Sequence, residues 1–493
     1  MTDTKPATAG VRLPVSLGDK DAENQSVPFI GELSAAPSPS KSCARQCCAC
    51  PDVIFTILFV LHLGAVCFVG VWAYQTQEFT AWEKLTGTSF QLSHWPQYLS
   101  LLGASVGLCC CVATLYFALS LKAPGFLVFF SVVVMWLLFA AGIILSFYNH
   151  LWGSGITLII VGCFFVVVSI FWLRASLDFT AICLQTATRG IISNFGTFFA
   201  ALFVLLLQLG YSVLLFFALI SLLTRHCDDN QHCEQDRASW MLLLPFVWTM
   251  EVLHNVLHVT VSGAIGSFYF QRRCGTISAA DAGDGLPTLR ALGRALGPSF
   301  GAICFGSLFV AIISFLRFIV NSIRYNSDNC VLRMLACFVD CLLSCVEAML
   351  RIFNRFVYAY VGLYGDTYLE AAERVKSRVL DAGIDAILTD GMASLVCTSG
   401  TLFCAMLSGL GSYLWMKHAI NASSSEVLTV STVVALLALM TSYLLLSVLS
   451  SAVVSLFVCF AEQPGTLQAY ETGLFASIRG IVHRYDNTKG AKA

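Results

Sequence analysis

Apolar residues in this chain neither alternate with polar ones nor keep to one side of a helix; they come in unbroken runs. Nine runs reach the roughly 20 mostly apolar residues that a helix needs to cross a bilayer. They are 53–74, 98–121, 125–147, 156–173, 193–223, 240–268, 299–320, 387–415 and 427–460. A tenth run, 341–363, is weaker because it holds Glu347, Arg351, Asn354 and Arg355, which an isolated span tolerates badly and a buried one can use. Residues 174–189, between the fourth and fifth spans, have the pattern of a short interfacial helix. The expected fold is therefore all-α, a polytopic transmembrane helical bundle of about ten spans. An outer-membrane barrel is excluded, because its strands alternate apolar and polar positions whereas 126–144 is apolar on every face.

Composition forces the same solvent on the chain. Of its 493 residues 57% are hydrophobic and 12% charged, against about 25% charged in soluble domains, so too little polar surface exists for a water-soluble globule. The bilayer is the required partner. With 28 basic and 29 acidic residues there is no bulk attraction to nucleic acid, which is excluded as a partner. Residues 1–52, rich in Pro, Ser, Ala and charge, are expected to form a disordered cytoplasmic tail, 53–460 the transmembrane domain and 461–493 a cytoplasmic C-terminal tail. Orientation follows from the basic residues: with ten spans and an inside N-terminus, 19 fall in inside segments and 6 in outside connections, the asymmetry of cytoplasmic termini.

Most of the 21 cysteines lie in apolar runs, where cysteine behaves as a small hydrophobe. Cys227 and Cys233 differ, since they flank a polar loop between two spans; on an oxidising face they are expected to form a disulfide, the alternative being two free thiols. Cys43, Cys47, Cys48 and Cys50 crowd the edge of the first span, a position that suits reversible palmitoylation, with Cys47 and Cys48 as candidates. Unmodified thiols are the alternative, and a zinc site fits the spacing poorly. Gly-x-x-x-Gly spacings at Gly103 and Gly107 and at Gly297 and Gly301 permit close helix approach within one bundle, with homo-oligomer formation as the alternative use.

Polar residues inside the spans mark the candidate chemistry. In the sixth span Trp248, Glu251, Asn255, His258 and Ser262 follow at spacings of three or four and so share one helical face. A mid-span Glu is costly to bury and signals function; an interhelical hydrogen-bond stripe is the structural alternative. His254 and His258 stand at the spacing of the zinc-protease motif H-E-x-x-H, but Asn255 replaces the catalytic Glu, and an amide cannot act as general base. On the weak span Glu347, Arg351, Asn354 and Tyr358 form a second stripe, and Glu347 with Arg351 can pair across one helical turn. Tyr358, Tyr360, Tyr364 and Tyr368 gather at its end, where aromatic belts occur. No Walker A motif, catalytic carboxylate pair or arginine ladder of a voltage sensor is found. A non-enzyme without metal or cofactor is expected.

Five blocks in order then resemble the choline transporter-like family: LRASLDFTAICLQTATRGI, FVWTMEVLHNVLHVTVSGAIGSFYF, SFGAICFGSLFVAII, CFVDCLLSCVEAMLRIFNRFVYAYVGLYG and VCFAEQP. The second and fourth are the specific ones. The short 75–97 connection makes the chain more similar to fungal and protist members than to animal ones, which carry a long glycosylated loop there. The resemblance implies ten spans, cytoplasmic termini, a plasma-membrane location and movement of choline or a related amine. Choline's permanent charge bars it from lipid, and its methylated nitrogen is held by aromatic faces and negative charge. Trp248 is the candidate face, Glu251 or Glu347 the field, and Asn255 or His258 the partner of the hydroxyl, with Asn354 and Tyr358 on the second stripe. The competing class is a non-transporting membrane scaffold or lipid-handling protein whose polar stripes only join helices.

Overall fold

An apolar run in lipid becomes a helix because each peptide N–H and C=O must find its partner inside the same segment. The computed structural model describes residues 52–76, 95–150, 152–224, 241–271, 286–379, 384–420 and 424–462; Cys47, Cys48, Cys227 and Cys233 lie outside them. Ten long helices occur among these residues: α1 (Val53–Thr76), α2 (Trp95–Lys122), α3 (Pro124–Tyr148), α4 (Trp152–Ser193), α5 (Gly196–Thr224), α6 (Leu243–Gln271), α8 (Phe300–Asn326), α9 (Cys330–Tyr364), α11 (Ile384–Trp415) and α12 (Ser424–Glu462). Two short ones, α7 (Pro287–Leu296) and α10 (Tyr368–Arg374), join them. No strand is present among the described residues, and the fold is the expected all-α bundle.

Eight of the long helices are apolar enough to cross a membrane by length and composition; α6 and α9, the two with polar stripes, are as long but are not among the eight. The outer surface is apolar: Ile54, Leu61, Phe68, Phe126, Leu137, Ile144, Ile160 and Phe164 are each more than half exposed. A soluble protein would not leave such a surface to water, whereas a bilayer solvates it.

Residues 174–189 do not form a separate interfacial helix. They continue α4 for 42 residues in all, and Ala181, Leu184, Ala187 and Ile191 are buried. No Pro or Gly lies between Leu173 and Gly190 to stop the helix, and its apolar face meets protein. Gln185 donates to the Leu121 carbonyl, Ser120 and Thr188 share a hydrogen bond, and Asn194 reaches the Ala264 carbonyl.

At the centre, α6 packs against α4, α5, α7, α8, α9 and α12, and α12 also against α2, α4, α5, α9 and α11. Packing is uneven along their length. Residues 256–266 of α6, 356–362 of α9 and 446–456 of α12 are almost wholly buried, whereas the first 24 residues of α9 are mostly exposed. Asp52 and Glu462 both lie at the close-packed end: Asp52 accepts from the Tyr368 N–H at 3.1 Å, and Tyr360 donates to Glu462 at 2.8 Å. An even number of crossings requires this arrangement. The turn from α9 into α10 is fixed by Gly365, whose φ of 75° lets it cap α9, and by a capping box between Thr367 and Glu370.

Candidate functional site

Successive helical residues turn by about 100°, so the α6 stripe together with His254 is about 120° wide and faces different neighbours across its width. On one edge stand Trp248 and Asn255, both toward α8: the Trp248 indole donates to the Cys304 carbonyl at 3.2 Å and Asn255 donates to Ser307 at 2.9 Å. In the middle stand Glu251 and His258. Glu251 pairs with Arg351 of α9. His258 Nε2 lies 2.8 Å from the Arg355 carbonyl, which only accepts, so in the neutral ring this nitrogen donates and Nδ1 accepts from Ser451 of α12 at 2.7 Å. His254 occupies the other edge, stacked on Tyr443 of α12 with ring centroids 5.0 Å apart.

The second stripe carries a chain of alternating charges. Glu347 receives Nε and Nη2 of Arg351 at 3.0 and 2.8 Å, Arg317 at 2.7 Å and the Ser314 hydroxyl at 2.9 Å. Arg317 also donates to Asp340 at 3.0 Å, which takes Asn321 at 3.2 Å. The expected Glu347 to Arg351 pair is thus one link of a line running from Glu251 along α8 and α9. Each carboxylate in it keeps a cation within reach, which offsets the cost of burial.

Farther along α9 the polar groups are consumed by packing. Asn354 donates to the Gly306 carbonyl at 3.1 Å and accepts from Tyr368 at 2.6 Å, and Tyr358 donates to the Ile303 carbonyl at 3.3 Å. Tyr358, Tyr360 and Tyr368 are buried, so they build an internal network rather than an aromatic belt. Gly306 leaves room for it, since a Cβ there would stand 2.4 Å from the Tyr368 ring.

Sequence spacing did not single out Tyr443. The residue is 48% exposed, in line with Leu439 and Leu436 one and two turns earlier on α12, and its hydroxyl lies in the field of Glu251, Arg351 and Arg355. The Arg351 side chain is 41% exposed and that of Glu251 16%. Where α6, α9 and α12 meet, an aromatic ring, a carboxylate and a guanidinium thus stand near one another, each with some surface exposed. A signal was present: Ser447, Ser451 and Ser455, four apart, mark a protein-facing side of α12, and Tyr443 borders it.

Trp248 does not face this cluster. It is buried, with the His62 ring stacked on it at 4.7 Å and the Phe59 edge at 5.2 Å, so its π-face is occupied by protein. Trp248→Leu is expected to cost about 1–3 kcal/mol of stability through lost packing. A thermal-shift measurement should show this loss, while half-saturation per folded molecule moves less than two-fold. A large affinity change in a stable variant would return Trp248 to the site.

Asp366 lies outside the spans, in the turn after α9. Burial pushes its carboxyl up to about 6; Arg374 pulls it down, while Glu370 and Glu462 push it up. Arg374 Nε lies 3.1 Å from Oδ2 but off the line of a hydrogen bond. The folded protein thus holds a proton that the unfolded chain, at about 3.9, releases. Stability should fall as pH rises from about 4 through about 6 and then level off. Asp366→Asn should flatten that limb in melting curves, and an unaltered slope would refute the assignment.

A polytopic helical membrane protein with polar helices enclosed by apolar ones is the architecture of a transporter-like class. Residues 156–465 match the family described as plasma-membrane choline transporter, and the chain belongs to that choline transporter-like family. Among its relatives is the protein PNS1 of Cryptococcus neoformans, 26% identical over 421 residues, 81% of this chain and 74% of the relative. PNS1 of Mycosarcoma maydis is 28% identical over 68% of this chain and 65% of its own length. PNS1 of Kluyveromyces lactis is 30% identical over 50% of this chain and 47% of its own.

Proposed function

We propose that the protein carries choline or a related cationic amine across the plasma membrane, as a secondary carrier or facilitator and without enzymatic chemistry, with both termini in the cytoplasm. The observation that supports this reading most is the nearness of the partly exposed Tyr443 ring to the Glu251 carboxylate where α6, α9 and α12 meet. A quaternary ammonium offers no conventional hydrogen bond, and an aromatic face beside a negative charge is the chemistry that retains it. His254, stacked on Tyr443, and Arg355 border the same space. The test is uptake of labelled choline by vesicles containing the purified protein. Saturable uptake, competed by unlabelled choline, is expected.

A second reading draws on a specific observation. Trp248, Asn255, His258, Asn354 and Tyr358 each spend their polar atoms on a neighbouring helix, as the stripes of a membrane scaffold would. Vesicles that take up no choline above protein-free controls, from protein shown to be folded, would favour it.

A further inference from the structure

Arg351 is the one ion-pair partner of Glu251 among the described residues, yet it does not depend on Glu251 for its own place. Its Nη1 points to Glu251, while Nε and Nη2 both bond to Glu347, the carboxylate four residues back on the same helix. Glu347 in turn is held by Arg317 and Ser314 from α8. The guanidinium is thus anchored twice on one side and touches Glu251 with a single arm. Around that arm stand Arg355 and Tyr358 of α9, Tyr443 of α12 and His254 of α6, and the Arg351 side chain is partly exposed.

From this asymmetry we infer that Arg351 is a built-in competitor of the substrate: it neutralises Glu251 when the site is empty and yields it to an incoming ammonium. The inference rests on the reading of Glu251 as part of the cation site. When a ligand with a fixed positive charge approaches Glu251, the Nη1 contact breaks and Arg351 stays on Glu347, so the substrate replaces one cation by another and no carboxylate is left bare. Two consequences follow. An empty carrier is already charge-balanced at Glu251, so its return needs no accompanying ion. Selectivity also acquires a threshold, because a neutral alcohol of choline's shape cannot displace the guanidinium, whereas a cationic amine can.

The test is a double-mutant cycle on equilibrium binding of labelled choline to the full-length protein in lipid nanodiscs, scored per folded molecule. Removing the competitor in Arg351→Gln should tighten binding about ten-fold, the weight of one partly buried ion pair. In a Glu251→Gln background the same substitution should change nothing, because the contested carboxylate is gone. If Arg351→Gln folds poorly, Arg351→Gln combined with Glu347→Gln keeps the local charge balanced and should show the same gain. Weaker binding in the Arg351 variants, or a gain that persists without Glu251, overturns the competitor role and leaves Arg351 a strut between α6 and α9. Choline binding that ignores Glu251→Gln in the otherwise native protein is a separate result: it removes Glu251 from the cation site and refutes the underlying reading.

Discussion

Glu251→Gln is expected to weaken choline by about ten- to hundred-fold, with folded yield nearly unchanged. The substitution keeps size and hydrogen-bonding capacity and deletes only the charge. A carboxylate about 4 Å from an ammonium at a half-accessible protein site is worth up to about 4 kcal/mol before competition. Arg351 already claims part of that interaction, which leaves about 1.4–2.8 kcal/mol for the substrate, or one to two decades. Tyr443→Leu should cost less, about two- to thirty-fold, because it removes a cation-π face worth about 0.5–2 kcal/mol. The neutral isostere 3,3-dimethylbutanol supplies the control, since it should not lose affinity in Glu251→Gln. Concentration series of uptake normalised to inserted protein measure all three. Equal half-saturation in both variants and the parent would move the search to the Glu347 region.

Gly362→Val should be strongly damaging to folding. At this crossing α6 and α9 meet backbone to backbone: a Cβ on Gly362 would stand 2.6 Å from the Val259 carbonyl oxygen and 2.7 Å from Ser262 Cβ. Overpacking against flexible side chains costs about 1–3 kcal/mol, and here the obstacle is a carbonyl that cannot rotate away. A loss of at least about 3 kcal/mol is expected, seen as a collapsed monodisperse peak in size-exclusion chromatography and a lowered melting temperature. Gly103→Val is the matching control, because nothing lies within 4 Å of a Cβ there; a comparable loss in both would show that the close crossing is not the cause.

Hydrophobic runs made the spans legible, because each long apolar stretch has only one way to satisfy its backbone in lipid. The α6 stripe was legible for a related reason: polar residues three and four apart must share a face, and a costly face turns inward. The intrahelical Glu347 to Arg351 pair could be read from spacing, but the arm from Arg351 to Glu251 joins residues 100 positions apart and needs the packing of α9 on α6. Trp248 illustrates the opposite limit. Its residue type suits a cation, yet His62 from α1 takes the ring's face, and no local pattern announces that partner. Tyr358 and Tyr360 resembled a belt because sequence gives distance along a helix, not depth in a bundle. Residues 174–189 were misplaced because an amphipathic segment looks the same whether its apolar side meets lipid or the underside of α2 and α6.

The uneven packing along the central helices bears on how fast such a protein can turn over. Its tight joints sit at one end: Gly263 against Gly362, Gly301 against the backbone of Asp52, and Gly306 under Tyr358 and Tyr368. Joints of this kind do not slide by fractions of an ångström, because contact between main chains is either made or broken. A rocking motion that exchanged the open end for the closed one would pivot near the level of Glu251 and Tyr443, and it would have to unseat several of these joints together. The resting population should then lie on the side seen here, with amides of 256–266 and 446–456 exchanging hydrogen for deuterium more slowly than those of 331–346. On the carrier reading, an amine that tightens its grip near Glu251 would speed transport only if it also loosened the glycine end, so affinity and speed would answer to different segments of the same three helices.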